Sequence, residues 1–356
     1  MNLPARVVVK VGSSSLTRPD GTLNRDRLSL IANQLADCYE AGSKVALVSS
    51  GAVAAGVGVL DLPGKPTDVA GHQAAAMVGQ SRLMSVYTEE FVGRGITIGQ
   101  VLLTADDVMR RSHYSNARNA LTQLLDMGVV PIVNENDAVA THELRLGDND
   151  RLAALVAHLT RADMMVLLTD VDGLYTGPPS QPGSVKVDVV RDIRELEKYR
   201  LTGRGSDMGT GGMVTKVRAA RMASAFGIPT VITSADSFGD LIAGKRVGTR
   251  FEPTGKRGGA RDMWIVHAAR IRGVLTIDDG AQEVLRRGGV SLLAVGVTAV
   301  SGTFGIGDAV EIRTRGGDLL ARGLSGWDSV ELAENLGVAG AGRPAVHADD
   351  LVLIRN

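Results

Sequence analysis

Six short runs rich in β-branched residues, at 6–11, 44–49, 97–103, 129–134, 164–169 and 230–233, alternate with helical patterns through the first two-thirds of the chain. Strands separated by helix-length segments must be joined by crossovers, so the pattern predicts an α/β fold with a mainly parallel sheet sandwiched by helices. Between the first two runs, Asn24 is placed to cap a helix whose apolar residues Leu28, Ile31, Leu35 and Cys38 or Tyr39 recur at intervals of three or four. Gly42 can end it by taking positive φ. Further helical patterns cover 116–126, 151–159 and 215–226. The uncharged stretch 45–60 is shorter than the ~20 apolar residues of a membrane span; it predicts a strand, a Gly-rich turn and a helix.

The pattern changes after residue 251. The segment EPTGKRGGARD is rich in Gly and charge, and short β-like runs follow at 292–297, 309–313, 318–323 and 351–354, with one helical stretch at 281–286. The expected division is a catalytic unit at 1–255, a linker at 256–272 and a small β-rich domain at 273–356. Lys plus Arg and Asp plus Glu both total 39, so no overall basic field recruits nucleic acid. The single cysteine, Cys38, excludes an internal disulfide framework and falls in the first helical pattern. The apolar run of MNLPARVVVKVG is too short for a signal peptide, and cytoplasmic localisation is expected.

In an open parallel sheet, ligands gather beyond the carboxyl ends of the strands. Five segments stand there. Lys10-Val11-Gly12-Ser13-Ser14-Ser15 can set one cation and several donors around a phosphate, or form an ordinary β-turn with a surface lysine. Ser49-Ser50-Gly51-Ala52-Val53-Ala54-Ala55-Gly56 lets backbone approach a ligand, or simply packs a helix tightly on a strand. Asn134-Glu135-Asn136-Asp137 and then Gly147-Asp148-Asn149-Asp150 cluster more amides and carboxylates than helix capping needs. Thr169-Asp170-Val171-Asp172-Gly173 ends the fifth run and is also compatible with a plain Asp-Gly turn. Gly209-Thr210-Gly211-Gly212-Met213-Val214-Thr215-Lys216 leads into a helix and makes a natural polyphosphate cradle, or is a flexible surface loop. There is no G-x-x-x-x-G-K-[ST] loop, no G-x-G-x-x-G turn and no histidine spacing for zinc.

In this order, VVVKVGSSSLT, VSSGAVAAG, PIVNENDAVA, GDND, LLTDVDGLYT and GTGGMVTK resemble the signatures of the amino acid kinase family, with VGQSRLM and NARNAL also fitting. The tail resembles a PUA domain. The resemblance spans essentially the whole chain, is tightest to the members that act on glutamate, and implies ATP-dependent phosphorylation of its side-chain carboxylate to L-glutamyl 5-phosphate, the first step of proline biosynthesis. Other acceptors of the family, N-acetylglutamate, aspartate, carbamate or a nucleotide, are the alternatives. By the same resemblance, Lys10 and Lys216 contact the phosphates of ATP and Asp150 orients the two lysines, as the catalytic set. Ser50, Asp137 and Asn149 bind glutamate. Thr169 and Asp170, with Thr210, Gly211, Gly212, Met213, Val214, Thr215 and Lys216, hold the nucleotide. Mg²⁺ is the expected cofactor, with no protein ligands named. Feedback inhibition by proline, a homo-oligomer and delivery of product to glutamyl-phosphate reductase are implied as well. PUA domains elsewhere bind RNA. Here residues 273–356 carry seven arginines and no lysine against eleven acidic residues, a net charge of −4 that argues against RNA.

Overall fold

The computed structural model describes residues 4–104, 107, 111–139, 149–192, 195–196, 212–254, 265–266, 271–338 and 342–354. The chain divides near residue 257 into two compact units.

In the first unit the elements run β1 (Arg6–Val11), α1 (Ser13–Leu16), α2 (Arg25–Glu40), β2 (Lys44–Ser49), α3 (Ala52–Val59), α4 (Val69–Val92), β3 (Ile98–Leu103), α5 (Arg111–Asp126), β4 (Val130–Glu135), α6 (Asn149–Leu159), β5 (Met164–Thr169), β6 (Leu174–Tyr175), β7 (Lys186–Val187), β8 (Val189–Val190), α7 (Met213–Ala225), β9 (Thr230–Ser234), α8 (Ala235–Ile242) and β10 (Thr249–Phe251). The main sheet has the order β3-β4-β2-β1-β5-β9-β10-β8 and is parallel from β3 to β9; β10 runs antiparallel to β9, and the short β8 runs parallel to β10. Three strands, β1, β2 and β5, keep the limits expected from sequence, and α2 is capped by Asn24, whose side chain accepts from the Arg27 N–H. Gly42 follows α2 at φ +93°, as its place after the helix requires.

Strand alternation assigns the two faces. Val7, Val9 and Val11 of β1, Val45 and Leu47 of β2, and Val130 and Ile132 of β4 join Leu28, Ile31, Leu35, Leu83, Tyr87 and Phe91 in one core cluster under α2 and α4. Val8 and Lys10 therefore face the other side, on which α6 packs across β1, β2 and β5. Cys38 lies in the first core, where burial pushes its thiol up to about 12.

The 24-residue helix α4 is capped by Asp68, which accepts from the Gly71 N–H at 2.8 Å. It crosses α3 so closely that a Cβ on Gly79 would overlap the Ala52 carbonyl oxygen, and one on Gly56 the Ala75 carbonyl oxygen. Tight packing, the second reading of the Gly51–Gly56 segment, thus accounts for Gly56. Gly79→Ala is expected to lower unfolding free energy by about 2 kcal/mol, because two backbones must separate to admit one methyl group. A lower urea midpoint at unchanged slope would register it.

The second unit holds β11 (Ile271–Ile277), α9 (Asp279–Arg287), β12 (Val297–Gly302), β13 (Ala309–Arg313), β14 (Leu319–Ser325), α10 (Ser329–Glu334) and β15 (Val346–Leu353) in a sheet of order β12-β11-β13-β14-β15. Its own core gathers Leu275, Ile277, Leu285, Val310, Ile312, Trp327, Leu332 and Val346. The run at 292–297 is not a strand until Val297, where β12 begins: Leu292 makes an isolated bridge to Val346, and Ala294–Gly296 is a 3₁₀ turn. Glu311 accepts from Arg313 and from Arg322, which stands opposite it on β14. Burial alone would raise the Glu311 carboxyl, and the two guanidinium groups more than offset this and hold it below the ordinary value. Among the described residues no helix is long and apolar enough to cross a membrane.

Candidate active site

Four parallel strands end together. Lys10 of β1 stands level with Val48 of β2 and Leu167 of β5, and Leu47 and Val48 of β2 pair with Ile132 and Val133 of β4. The chain segments leaving these ends carry most of the residues picked out by sequence.

Lys10 points back over Gly12, where a Cβ would lie only 3.3 Å from its Nζ. The lysine is 4% exposed, which removes the surface-lysine reading of this turn. Its Nζ lies 2.6 Å from Oδ1 of Asp150, at the start of α6. Lys216, in the first turns of α7 and equally buried, brings its Nζ to 3.6 Å from Oδ2 of the same carboxylate. Thr215 donates from Oγ1 to that oxygen at 2.7 Å. Two cations 206 residues apart in sequence therefore share one fully buried anion. Burial alone would raise the Asp150 carboxyl; Lys10 and then Lys216 outweigh it and hold the group below the ordinary carboxylate range. The cluster carries a net positive charge in a dry setting, which suits an incoming polyphosphate.

Beside it, Asn149 donates from Nδ2 to Ser50 Oγ at 2.8 Å and to Asn134 Oδ1 at 3.0 Å. Asn134 in turn donates to Gln80 Oε1 at 2.9 Å. Gln80 lines a cleft of about 370 Å³ together with Ala76, Met77, Leu102, Asn136 and Asp137. Ser50 and Asn149 are thus joined through Asn134 to Gln80, whose cleft Asp137 also lines. Tyr87 OH stands 2.8 Å from Ser49 Oγ, directly before Ser50.

At the ends of β5 and β9 a smaller cleft of about 170 Å³ is lined by Ser14, Ser15, Arg27, Thr169, Asp170 and Asp236. Ser15 donates to Asp170 at 3.0 Å, and Arg27 pairs with Asp236. Gly212 is the N-cap of α7 without a side-chain cap; the Thr215 N–H turns back to the Gly212 carbonyl at 3.2 Å, so the N–H groups of Met213 and Val214 are those a phosphate could use. Thr210 and Gly211 lie outside the described residues, as do Gly147 and Asp148.

The sequence did not single out Gln80 or Tyr87 as site residues, and it placed Ser49 and Asn134 only within clusters. The available signal was slight: Gln80 beside Gly79 in the VGQSRLM stretch.

A mainly parallel sheet with a buried Lys–Asp–Lys cluster beyond its strand ends defines the class: the chain belongs to the amino acid kinase family, which its residues 5–234 match, and residues 273–338 match the PUA domain. It is 51% identical to a glutamate 5-kinase of Bifidobacterium animalis subsp. lactis, across 98% of this chain and 95% of that one. It is 50% identical to a glutamate 5-kinase of Streptomyces coelicolor, across 98% and 96%. Among solved structures, carbamate kinase from Giardia lamblia bound to AMP-PNP shares the fold of the first unit, with a TM-score of 0.53 at 18% identity over 71% of this chain and 99% of that one.

Proposed function

We propose that the protein transfers the γ-phosphoryl group of ATP to the side-chain carboxylate of L-glutamate, giving L-glutamyl 5-phosphate and ADP, the first step of proline biosynthesis. The observation that carries this reading is the pair of buried ammonium groups, Lys10 and Lys216, held on Asp150 at 2.6 and 3.6 Å. In the reaction a carboxylate oxygen forms a bond to the γ-phosphorus as the bond to the β–γ bridging oxygen breaks, and the electron pair leaves with ADP. A glutamate side chain with a reference pKa of about 4.3 is already anionic near neutral pH, so no general base is needed. The obstacle is repulsion between two anions, and it is met by positioning and charge neutralisation.

In this reading Lys10 and Lys216 grip the transferring phosphoryl group and Asp150 keeps both ammonium groups aimed at one point. Ser50 and Asn149 hold glutamate, with Asp137 facing its α-ammonium from the neighbouring cleft. Thr169, Asp170 and the stretch from Thr210 to Lys216 hold the nucleotide. Kinases of this kind use a divalent ion with ATP, and Mg²⁺ is the proposed one. Among the described residues no three acidic, His or Cys side chains stand together as a metal cage, and the buried Asp150 carboxylate is engaged by lysines. An ion carried by the phosphates and their waters fits such a site, and when bound it would neutralise phosphate charge. Proline as feedback inhibitor, a homo-oligomer, transfer of the product to glutamyl-phosphate reductase and a cytoplasmic location complete the proposal, with 1–255 as the catalytic unit and 273–356 as a regulatory or interaction module.

ADP release is the test, with glutamate, N-acetylglutamate, aspartate, carbamate and UMP compared as acceptors, with and without proline. Glutamate-dependent release well above the other four is expected. Release that follows another acceptor, with glutamate at background, would overturn the assignment.

A further inference from the structure

We infer that Gln80 is a positioning residue for glutamate: its side-chain oxygen fixes the orientation of Asn134 and, through it, that of Asn149. The inference rests on the reading of Ser50 and Asn149 as substrate-binding residues.

Two buried side-chain amides, Gln80 and Asn134, and the half-buried Asn149 meet at the ends of β2 and β4, and a backbone group determines which way round they lie. The Glu135 N–H points at Asn134 Oδ1 at 2.9 Å, and an N–H can only donate. That atom of Asn134 must therefore be the oxygen, and the atom 2.9 Å from Gln80 must be the NH₂. Gln80 has to answer with Oε1. On the other side the same Asn134 oxygen receives Asn149 Nδ2 at 3.0 Å, so Asn149 has to present its nitrogen there and to Ser50 Oγ. The chain of donors is thus directed from Asn149 through Asn134 to Gln80. It leaves Asn149 Oδ1, which has no partner among the described residues, as an acceptor. An acceptor is what an α-ammonium group requires.

Gln80 is the anchor of this polarity. Asn134 is 2% exposed, and without Gln80 Oε1 its NH₂ would be stranded in the interior. Turning the Asn134 amide to escape would set that NH₂ against both the Glu135 N–H and Asn149 Nδ2. Packing alone does not account for a glutamine here, since Gln80 Nε2 is buried with no partner among the described residues and an apolar side chain would avoid that cost.

The same helix face repeats the arrangement seven residues on. Ser49 Oγ donates to the Ser50 carbonyl at 3.0 Å, which uses its one proton, so Tyr87 OH is the donor in the 2.8 Å bond between them. Ser49 directly follows Val48 and Asn134 directly follows Val133, which are paired across β2 and β4. Helix α4 therefore steadies both strand ends from beneath, one through Gln80 and one through Tyr87.

The test uses the full chain with Gln80→Met, Gln80→Asn and Gln80→Glu. Methionine removes the acceptor, asparagine withdraws it by one methylene while staying polar, and glutamate keeps an oxygen for Asn134 Nδ2. The first two should raise KM for glutamate at least about tenfold, with kcat and the KM for ATP within about threefold, the mark of lost ground-state binding. Gln80→Glu should keep KM for glutamate within about threefold of the parent. If Gln80→Met does not fold, Gln80→Asn carries the comparison. An unchanged KM for glutamate in Gln80→Asn, a parallel loss of ATP affinity and turnover, or a Gln80→Glu protein as impaired as the others would each overturn the inference. Failure of the underlying kinase reading looks different, since the parent protein itself would then show no glutamate-dependent ADP release.

Discussion

Lys216→Ala is expected to lower turnover with ATP and glutamate at least ~100-fold, the scale on which loss of one preorganised electrostatic donor is felt. The ammonium group sits at the start of α7, 3.6 Å from Asp150 and almost fully buried, so water cannot replace it cheaply. Lys216→Arg should not rescue the loss. A planar guanidinium needs more room than the ammonium beside Asp150 and Thr215, and it delivers its charge in a different geometry. Steady-state rates at saturating substrates check this, with circular dichroism confirming that the variant folds. Turnover within a few-fold of the parent would mean that the buried cation serves only the fold.

Asp150→Asn is expected to damage stability and activity together. The substitution keeps the shape but leaves Lys10 and Lys216, both buried, facing each other without a counter-ion. Breaking a buried ion pair from one side costs about 3–5 kcal/mol, which urea unfolding at neutral pH can measure. Turnover should fall at least ~100-fold as the two ammonium groups lose their common aim. The pH dependence has a definite sign. The Asp150 carboxyl lies below its ordinary value in the folded protein, so its stabilisation is fully present above the unfolded value of about 3.9 and is lost as pH falls through the lowered folded value. The stability gap between the parent and Asp150→Asn should therefore be constant near neutrality and close only in strong acid.

Much of the catalytic fold could be read from the residues because its strands are buried on both faces. A run such as Val7-Val8-Val9, with Pro4 before it and Gly12 after it, leaves few alternatives, and the limits of β1, β2 and β5 follow directly. Helix α4 escaped this reading. Gly71 and Gly79 lie within it, and its small residues serve close packing against α3 rather than a clean apolar stripe. In the second unit, Leu292 and Val295 have strand character, but a single bridge to Val346 and a 3₁₀ turn occupy the stretch before β12 begins at Val297. β-branched composition alone does not report how many ladder partners a run will find.

The site divides along the same line. Lys10, Asp150 and Lys216 stand in motifs at strand ends and helix starts, where chain direction alone brings chemistry together. Gln80, Tyr87 and Ser49 depend on the pairing of Leu47 with Ile132 and on the face that α4 turns to the sheet. Those are facts of tertiary register, and no local pattern encodes them.

The most direct measurement is a single-turnover experiment on Lys10→Ala and Lys216→Ala, following label from the γ-phosphate of ATP into glutamate with both substrates saturating. On the proposed reading the transfer step itself slows at least ~100-fold in each variant, because both cations would act on the phosphoryl group in flight. Transfer at the parent rate, with only ATP affinity reduced, would contradict it and reduce the two lysines to holding the nucleotide at rest.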